Sequence, residues 1–399
     1  ILDDKALFDA INFQGTERFR VKLASADNSL DTVFERTFMM TGIERSVKSN
    51  DNGKSSMYVI TLLDEHAYLS SLKRISRSFN GRIDKIIIKL LATQMNMDVD
   101  ISYLFKGDGK ESAPIQTSIK GIIPNLSPIA AIKWLVSRAT TVTGSPFFAY
   151  ASMHDNNLRL GNLDCMLSQK AFNSKLPYTY NPANVSNADT QTEVEKTFTI
   201  KALKTSKMAN TLKLIQEGAV TSDMCNTNLN TGQIFNQHFS VRDTLDKLSG
   251  HGIIGENQNV FDTEFLMDEI AVDTFNAQNI HTVTSSGTYG RYKSYHDEFD
   301  ATKFKKKLES KALHNHLYKN MMNVVVEGAG FIVSKASVGD IVNLKIVNDN
   351  TEQDKNASEE DLIDKAKSGD CIIYDTRHTF SGTQHTVSIN VCKLERLSQ

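Results

Sequence analysis

The sequence predicts an α+β protein with two β-barrel-like domains and an α/β insertion between them. Three observations lead there. Strand-rich segments with period-two alternation lie toward both ends of the chain, helical periodicity dominates the stretch between them, and turn signals separate the runs. The boundaries fall at 1–66 for the first barrel and 67–192 for the insertion. The second barrel combines 193–240 with 312–399, and 241–311 is an inserted segment with no clear fold.

In the first segment, Phe19, Val21 and Leu23 alternate with Arg20 and Lys22. Two runs, Ile43 to Val47 and Ser56 to Leu63, flank Asp51-Asn52-Gly53. Asn-Gly marks a hairpin because both central residues of a type I′ turn need positive φ. Only three or four strands can be found, too few to close a barrel, so the first barrel is expected to be incomplete at its N-terminus. In the insertion, Ile83, Ile86, Ile87, Leu90 and Leu91 form the stripe of an amphipathic helix over about 81–94. Ser127-Pro128 opens a second helix, serine as N-cap and proline at its first position. Phe147 to Met153 and Leu158 to Leu160 make a hairpin, and the loop-like residues 180–192 close the domain.

Strand character returns at Glu193 to Leu203, where Thr197, Thr199 and Lys201 alternate with Phe198, Ile200 and Ala202. A helix is expected over about 301–320. It feeds a terminal meander: Met322 to Val326, Phe331 to Val333, Ile341 to Val347, Cys371 to Arg377 and Thr386 to Leu394. A polar excursion, 348–368, interrupts this meander. Ser358-Glu359-Glu360-Asp361 within it starts a short helix, and the whole is expected to project as a surface arm.

Composition excludes several classes. With 399 residues, 40% hydrophobic and 23% charged, the chain can bury cores in two or three domains. A net charge of −2 gives no basic surplus for holding nucleic acid, and no apolar run reaches the roughly 18–20 residues of a membrane span. The chain opens Ile1-Leu2-Asp3-Asp4 without a signal-peptide pattern. Cys165, Cys225, Cys371 and Cys392 lack CxxC spacing and are expected as free thiols.

Chemistry-bearing clusters do better under plain readings. Gly328-Ala329-Gly330 follows a strand but lacks the third glycine of a dinucleotide loop, and a β-turn or bulge is expected. His314 and His316 diverge by about 200° on a helix and cannot share a metal. His296-Asp297-Glu298 with Asp300 reads as a solvated loop. Asp64-Glu65 beside His66 reads as a charged strand end. His378 and His385, near Asp375, read as surface histidines flanking a turn. The sequons at Asn125, Asn184 and Asn356 carry no weight without secretion. No GxSxG, HExxH or P-loop pattern occurs, so catalytic, metal and cofactor residues are all expected to be none.

The order of elements supplies a further reading. A strand ladder ends at Tyr58 to Leu63 and runs through Leu72 to Gly81 into the Ile83 to Leu91 helix. The Ser127-Pro128 helix, the Pro146-Phe147-Phe148 hairpin and the Gly339-Asp340 meander with Asp375 to His378 follow. This order resembles the baseplate central hub protein of contractile phage tails, of the T-even type, related to the spike–hub proteins of type VI secretion. The resemblance implies a homotrimer whose six barrels form a pseudo-six-fold ring between the hexameric tail tube and the trimeric central spike. It implies as partners the spike, tube or tube-initiator proteins and baseplate wedge proteins, with DNA only in passage. It also implies a virion protein assembled in the host cytoplasm, and not an enzyme. The hub of a secretion-type injection system is the alternative, and a tail-associated wall hydrolase a more remote one.

Overall fold

The computed structural model describes residues 2–3, 10–11, 15–23, 34–48, 56–104, 118–141, 143–154, 157–181, 193–206, 211–216, 220–229, 232–250, 266–267, 270–271, 278–284, 288–289, 292–293, 301–318, 321–347, 363–365, 367–382 and 384–393. The Asn52-Gly53 turn, the His296 to Asp300 cluster, Asn184, Asn356 and the helix expected from Ser358 lie outside them. The fold is mixed α+β, with helices packed around several sheets, one of them nearly closed.

The first segment is an antiparallel sheet of four strands: β1 (Leu2–Asp3), β2 (Arg18–Leu23), β3 (Phe34–Lys48) and β4 (Ser56–Asp64), in the order β1-β4-β3-β2. Phe34, Met39, Met40 and Tyr58 are buried, whereas Met57, Val59 and Leu63 of β4 are exposed. These three share one strand face, because side chains alternate with period two. β1 covers only Ser56 and Met57, so most of the outer edge of β4 has no partner among the described strands.

The insertion begins with α1 (Glu65–Ser71) and a two-stranded ribbon of β5 (Ile75–Arg82) and β7 (Ser118–Leu126). Between these strands come α2 (Ile83–Met95) and β6 (Val99–Asp100), and α3 (Pro128–Val136) follows. The predicted stripe is what α2 buries: Ile83, Ile87, Leu90 and Leu91 lie in one core with Ile123, Ala131, Ile132 and Leu135. Ser127 caps α3, its Oγ accepting from Ala130 N at 3.4 Å, and the Ser70 hydroxyl accepts from Ile129 N at 3.0 Å. The hairpin β8 (Phe147–Ala151) and β9 (Leu158–Asn162) pairs with β6. α4 (Leu163–Leu167) follows it.

The C-terminal sheet has six strands: β10 (Tyr178–Tyr180), β11 (Ala202–Ser206), β15 (Met321–Glu327), β16 (Ile341–Ile346), β17 (Gly369–Ser381) and β18 (Gln384–Cys392). Their order is β10-β16-β17-β18-β15-β11. The two edges meet just before β11: Ile200 N donates to Thr179 O at 2.9 Å, while Lys201 N donates to Val325 O at 2.8 Å. The sheet thus curls into a nearly closed barrel. Its interior is filled by Met322, Val324, Val326, Leu344, Ile389 and Val391 among others, so it is a packed core.

The expected second-barrel segment 193–240 divides in space. Only its first part reaches the barrel, while β12 (Thr221–Asn228) and β13 (Ile234–Ser240) form a separate sheet with β14 (Gln278–Thr284), the last parallel to β12. This sheet, with α4, α6 (Val241–Gly250) and α7 (Ala301–Leu317), shares a core with the outer face of the barrel at Ile341, Ile372 and Cys392.

Two strand expectations are corrected. Glu193–Phe198 is a helix, α5, and Gly328–Val333 is another, α8. Both cap the barrel: Phe198 lies against Tyr178 with ring centroids 5.6 Å apart, and Phe331 is fully buried against Phe172 at 5.9 Å. Short apolar runs are not assigned by periodicity, and here plugging the barrel end decides the conformation. Gly328-Ala329-Gly330 is therefore a helix start, not a β-turn. A Cβ on Gly328 would fall 2.1 Å from His385 Nδ1, and one on Gly330 2.7 Å from Thr197 Cγ2.

Candidate functional site

A broad concavity lies where the three parts of the chain meet. It is a cleft of about 580 Å3, walled by Phe34 and Phe38 of the first sheet, Leu91 and Met95 of α2, and Val338 and Thr376 of the barrel. Its polar wall is Arg36, Asp64 and His66. Arg36 Nε lies 2.7 Å from Asp64 Oδ2, off the line of a hydrogen bond, and Arg36 Nη1 donates to Ser152 O at 2.7 Å. Asp64 is the N-cap of α1, accepting from His66 N at 2.9 Å and Ala67 N at 3.4 Å. Burial alone would raise the Asp64 carboxyl, but the hydrogen bonds from His66 and the Arg36 guanidinium outweigh it and hold it low. The expected charged strand end is thus a helix cap tied to a half-buried arginine. An aspartate between an alternating run and Glu65-His66-Ala67 is the signal that identifies it.

His378 and His385 are half-buried, which corrects the expectation of ordinary surface histidines. They sit on neighbouring strands with His378 Nδ1 and His385 Nε2 3.1 Å apart. Phe380 stacks on His385 at 4.1 Å, and Phe331 lies 5.8 Å from His378. Burial, then the neighbouring His385 and His154, push His378 down to about 4. Asp375 instead accepts from Asn390 Nδ2 at 3.3 Å. His314 is likewise pushed down by burial, its ring stacked on Phe148 at 5.7 Å.

A third cluster occupies the outer face of β12 and its neighbours. Asp223 is paired in register with His238, Oδ1 to Nδ1 2.8 Å, while Cys225 lies between Asn236 and His281. Among the described residues no three His, Cys, Asp or Glu side chains converge on one metal position. Cys165, Cys371 and Cys392 are buried free thiols and Cys225 is half-buried. Burial raises Cys371 and Cys392 to about 12, so both remain protonated packing groups at neutral pH.

His378 and His385 pair with each other, whereas Cys225, Asp223, His238 and His281 line one concavity of about 410 Å3 on the sheet surface. The molecule also presents contact surface: the exposed Met57, Val59 and Leu63 of β4 on a sheet open at its edges.

No protein-family model matches this chain, and no curated protein matches it. Solved structures similar to this chain include two tail proteins. A tail protein from Neisseria meningitidis MC58 is 11% identical with a TM-score of 0.47, covering 95% of this chain and 92% of that one. The 43 kDa tail protein of prophage MuSo2 from Shewanella oneidensis is 10% identical with a TM-score of 0.42, covering 94% and 88%.

Proposed function

We propose that this chain is a structural hub of a contractile phage tail baseplate, a homotrimer that adapts a hexameric tube to a trimeric spike. The observation that carries the reading is the open first sheet. It exposes Met57, Val59 and Leu63 on one strand and leaves both its edges without strand partners among the described residues. Such an edge invites pairing with another chain, and an apolar strand face gains by being covered. The C-terminal barrel supports the same reading from the other side, because its interior is filled by side chains and leaves no room for a substrate. Six barrel-like units from three chains would offer a hexameric partner six similar surfaces, while the chain count matches a trimeric one.

The partners in this reading are a second and third copy, the spike, the tube or its initiator, and wedge proteins at the rim, with DNA passing through. Electron microscopy of the purified chain tests it. Class averages should show threefold particles with six peripheral lobes. Twofold particles, or cell-wall lysis by the chain that one carboxylate substitution abolishes, would overturn it.

A further inference from the structure

The sheet of β12, β13 and β14 ends on both sides in strands that carry no guard against pairing. Edge strands are normally protected by Lys, by other charges or by Pro. β2 follows that rule with Arg18, Arg20 and Lys22, and β5 with Arg77 and Arg82. Residues 224–237 and 274–290, by contrast, hold no Asp, Glu, Lys, Arg or Pro in a chain that is 23% charged. β12 lies in the middle of the sheet, so β13 and β14 each have one strand partner among the described residues. The inner face is anchored, because Met224 and Phe239 enter the core shared with the barrel. On β13 Ile234, Phe235, Asn236 and His238 are exposed, and so is His281 on β14. Register sets Asn236 and His281 on either side of Cys225, with Ile234 beside Thr227, so Ile234, Asn236 and His281 share the outer face.

We infer that β13 of one copy of this chain pairs with β14 of the next, joining the sheets of three copies into one continuous ring. The inference rests on the trimer proposed above and names its contact. Three features select these two strands for each other. Each is seven residues long. Neither brings a carboxylate, Lys or Arg that pairing would strip of water. Direction is the third. A rotation about an axis along the strands leaves their directions unchanged. β13 runs antiparallel to β12 and β14 parallel to it, so β13 of the next copy arrives antiparallel to β14. Antiparallel pairing is the more stable ladder, and joining two unlike edges is the heterologous contact that closes a ring. A two-fold pairing of β13 with itself would stop at a dimer and leave β14 bare.

The test is charge exchange across this contact, read as solution mass by light scattering on the full chain. Ile234→Lys, Asn236→Lys and His281→Lys together set like charges on facing edges, which repel across a strand pair. The mass should fall from three chains to one. Retaining the first two changes and replacing the third with His281→Glu should restore the trimer, with a mass that falls again as salt rises. All three positions are exposed, and circular dichroism checks the fold of both variants. Hydrogen exchange on the unaltered chain gives a readout free of substitution. The amides of 234–240 and 278–284 that do not face β12 should be slow together in the trimer and fast after dilution to single chains. A trimer that keeps its mass through the triple substitution, one that His281→Glu does not restore, or one whose edge amides exchange fast overturns the strand contact and leaves the hub reading standing. A single-chain mass for the unaltered protein at every concentration removes the trimer, and the contact with it.

Discussion

Gly328 is a glycine because His385 occupies the space its side chain would need. An added Cβ would lie 2.1 Å from Nδ1 of a ring whose Nε2 is held by His378 and whose face stacks on Phe380. Gly328→Ala should therefore lower stability by about 1–3 kcal/mol, the usual cost of overpacking, read as a shift in the denaturant midpoint. The histidines themselves give a pH signature. His378 sits at about 4 in the folded protein against an ordinary 6.5, so the unfolded chain binds the extra proton between those values. The stability from keeping it neutral is complete above pH 6.5 and is lost as pH falls toward 4. The slope is at most about 1.4 kcal/mol per pH unit, reduced because part of the ring meets solvent. His378→Gln should flatten the thermal midpoint against pH in that window, and an unchanged slope would show that other groups set it. These environments were not legible in the sequence: His378 and His385 look like turn-flanking residues until strand register pairs His378 with Val387 and Phe380 with His385, setting the two histidines diagonally across, and Phe331 of α8 packs beside His378.

Elements with whole-turn periodicity were legible, and those governed by tertiary plugging were not. α2 and α3 follow from their stripes and, for α3, from Ser127-Pro128. That cap makes a clean prediction: Ser127→Ala should cost about 1 kcal/mol in equilibrium unfolding, since Ala130 N loses its acceptor. No measurable change would mean that Ser70, bonded to Ile129 N, holds the helix start alone. The strands β16 and β18 also follow from alternation, and the apolar run of β15 places Met322, Val324 and Val326 inside the barrel. Sequence alone makes α5 and α8 strands, because Thr197-Phe198-Thr199-Ile200 alternates and Phe331-Ile332-Val333 is β-prone. In the fold, Phe198 and Phe331 turn inward over the barrel ends, and burying those rings outweighs local preference.

At the scale of the whole molecule, the two strand-rich ends and the α/β middle were readable as composition and period. The way the chain shares its segments was not. Tyr178–Tyr180 leaves the insertion to pair in parallel with β16, and 221–240 leaves the second barrel for a sheet of its own. Both depend on contacts between residues more than a hundred positions apart or on parallel crossovers, which leave no local signal. The candidate contact surface was partly readable: Met57, Val59 and Leu63 alternate in the sequence, but which face of the strand would lie bare required the fold. Those exposed residues and open edges are the ground for an oligomeric hub. The direct test is the solution mass of the purified chain by size-exclusion chromatography with light scattering at micromolar concentration. The account predicts three times the 44.5 kDa of one chain, and a single-chain mass at every concentration would contradict it.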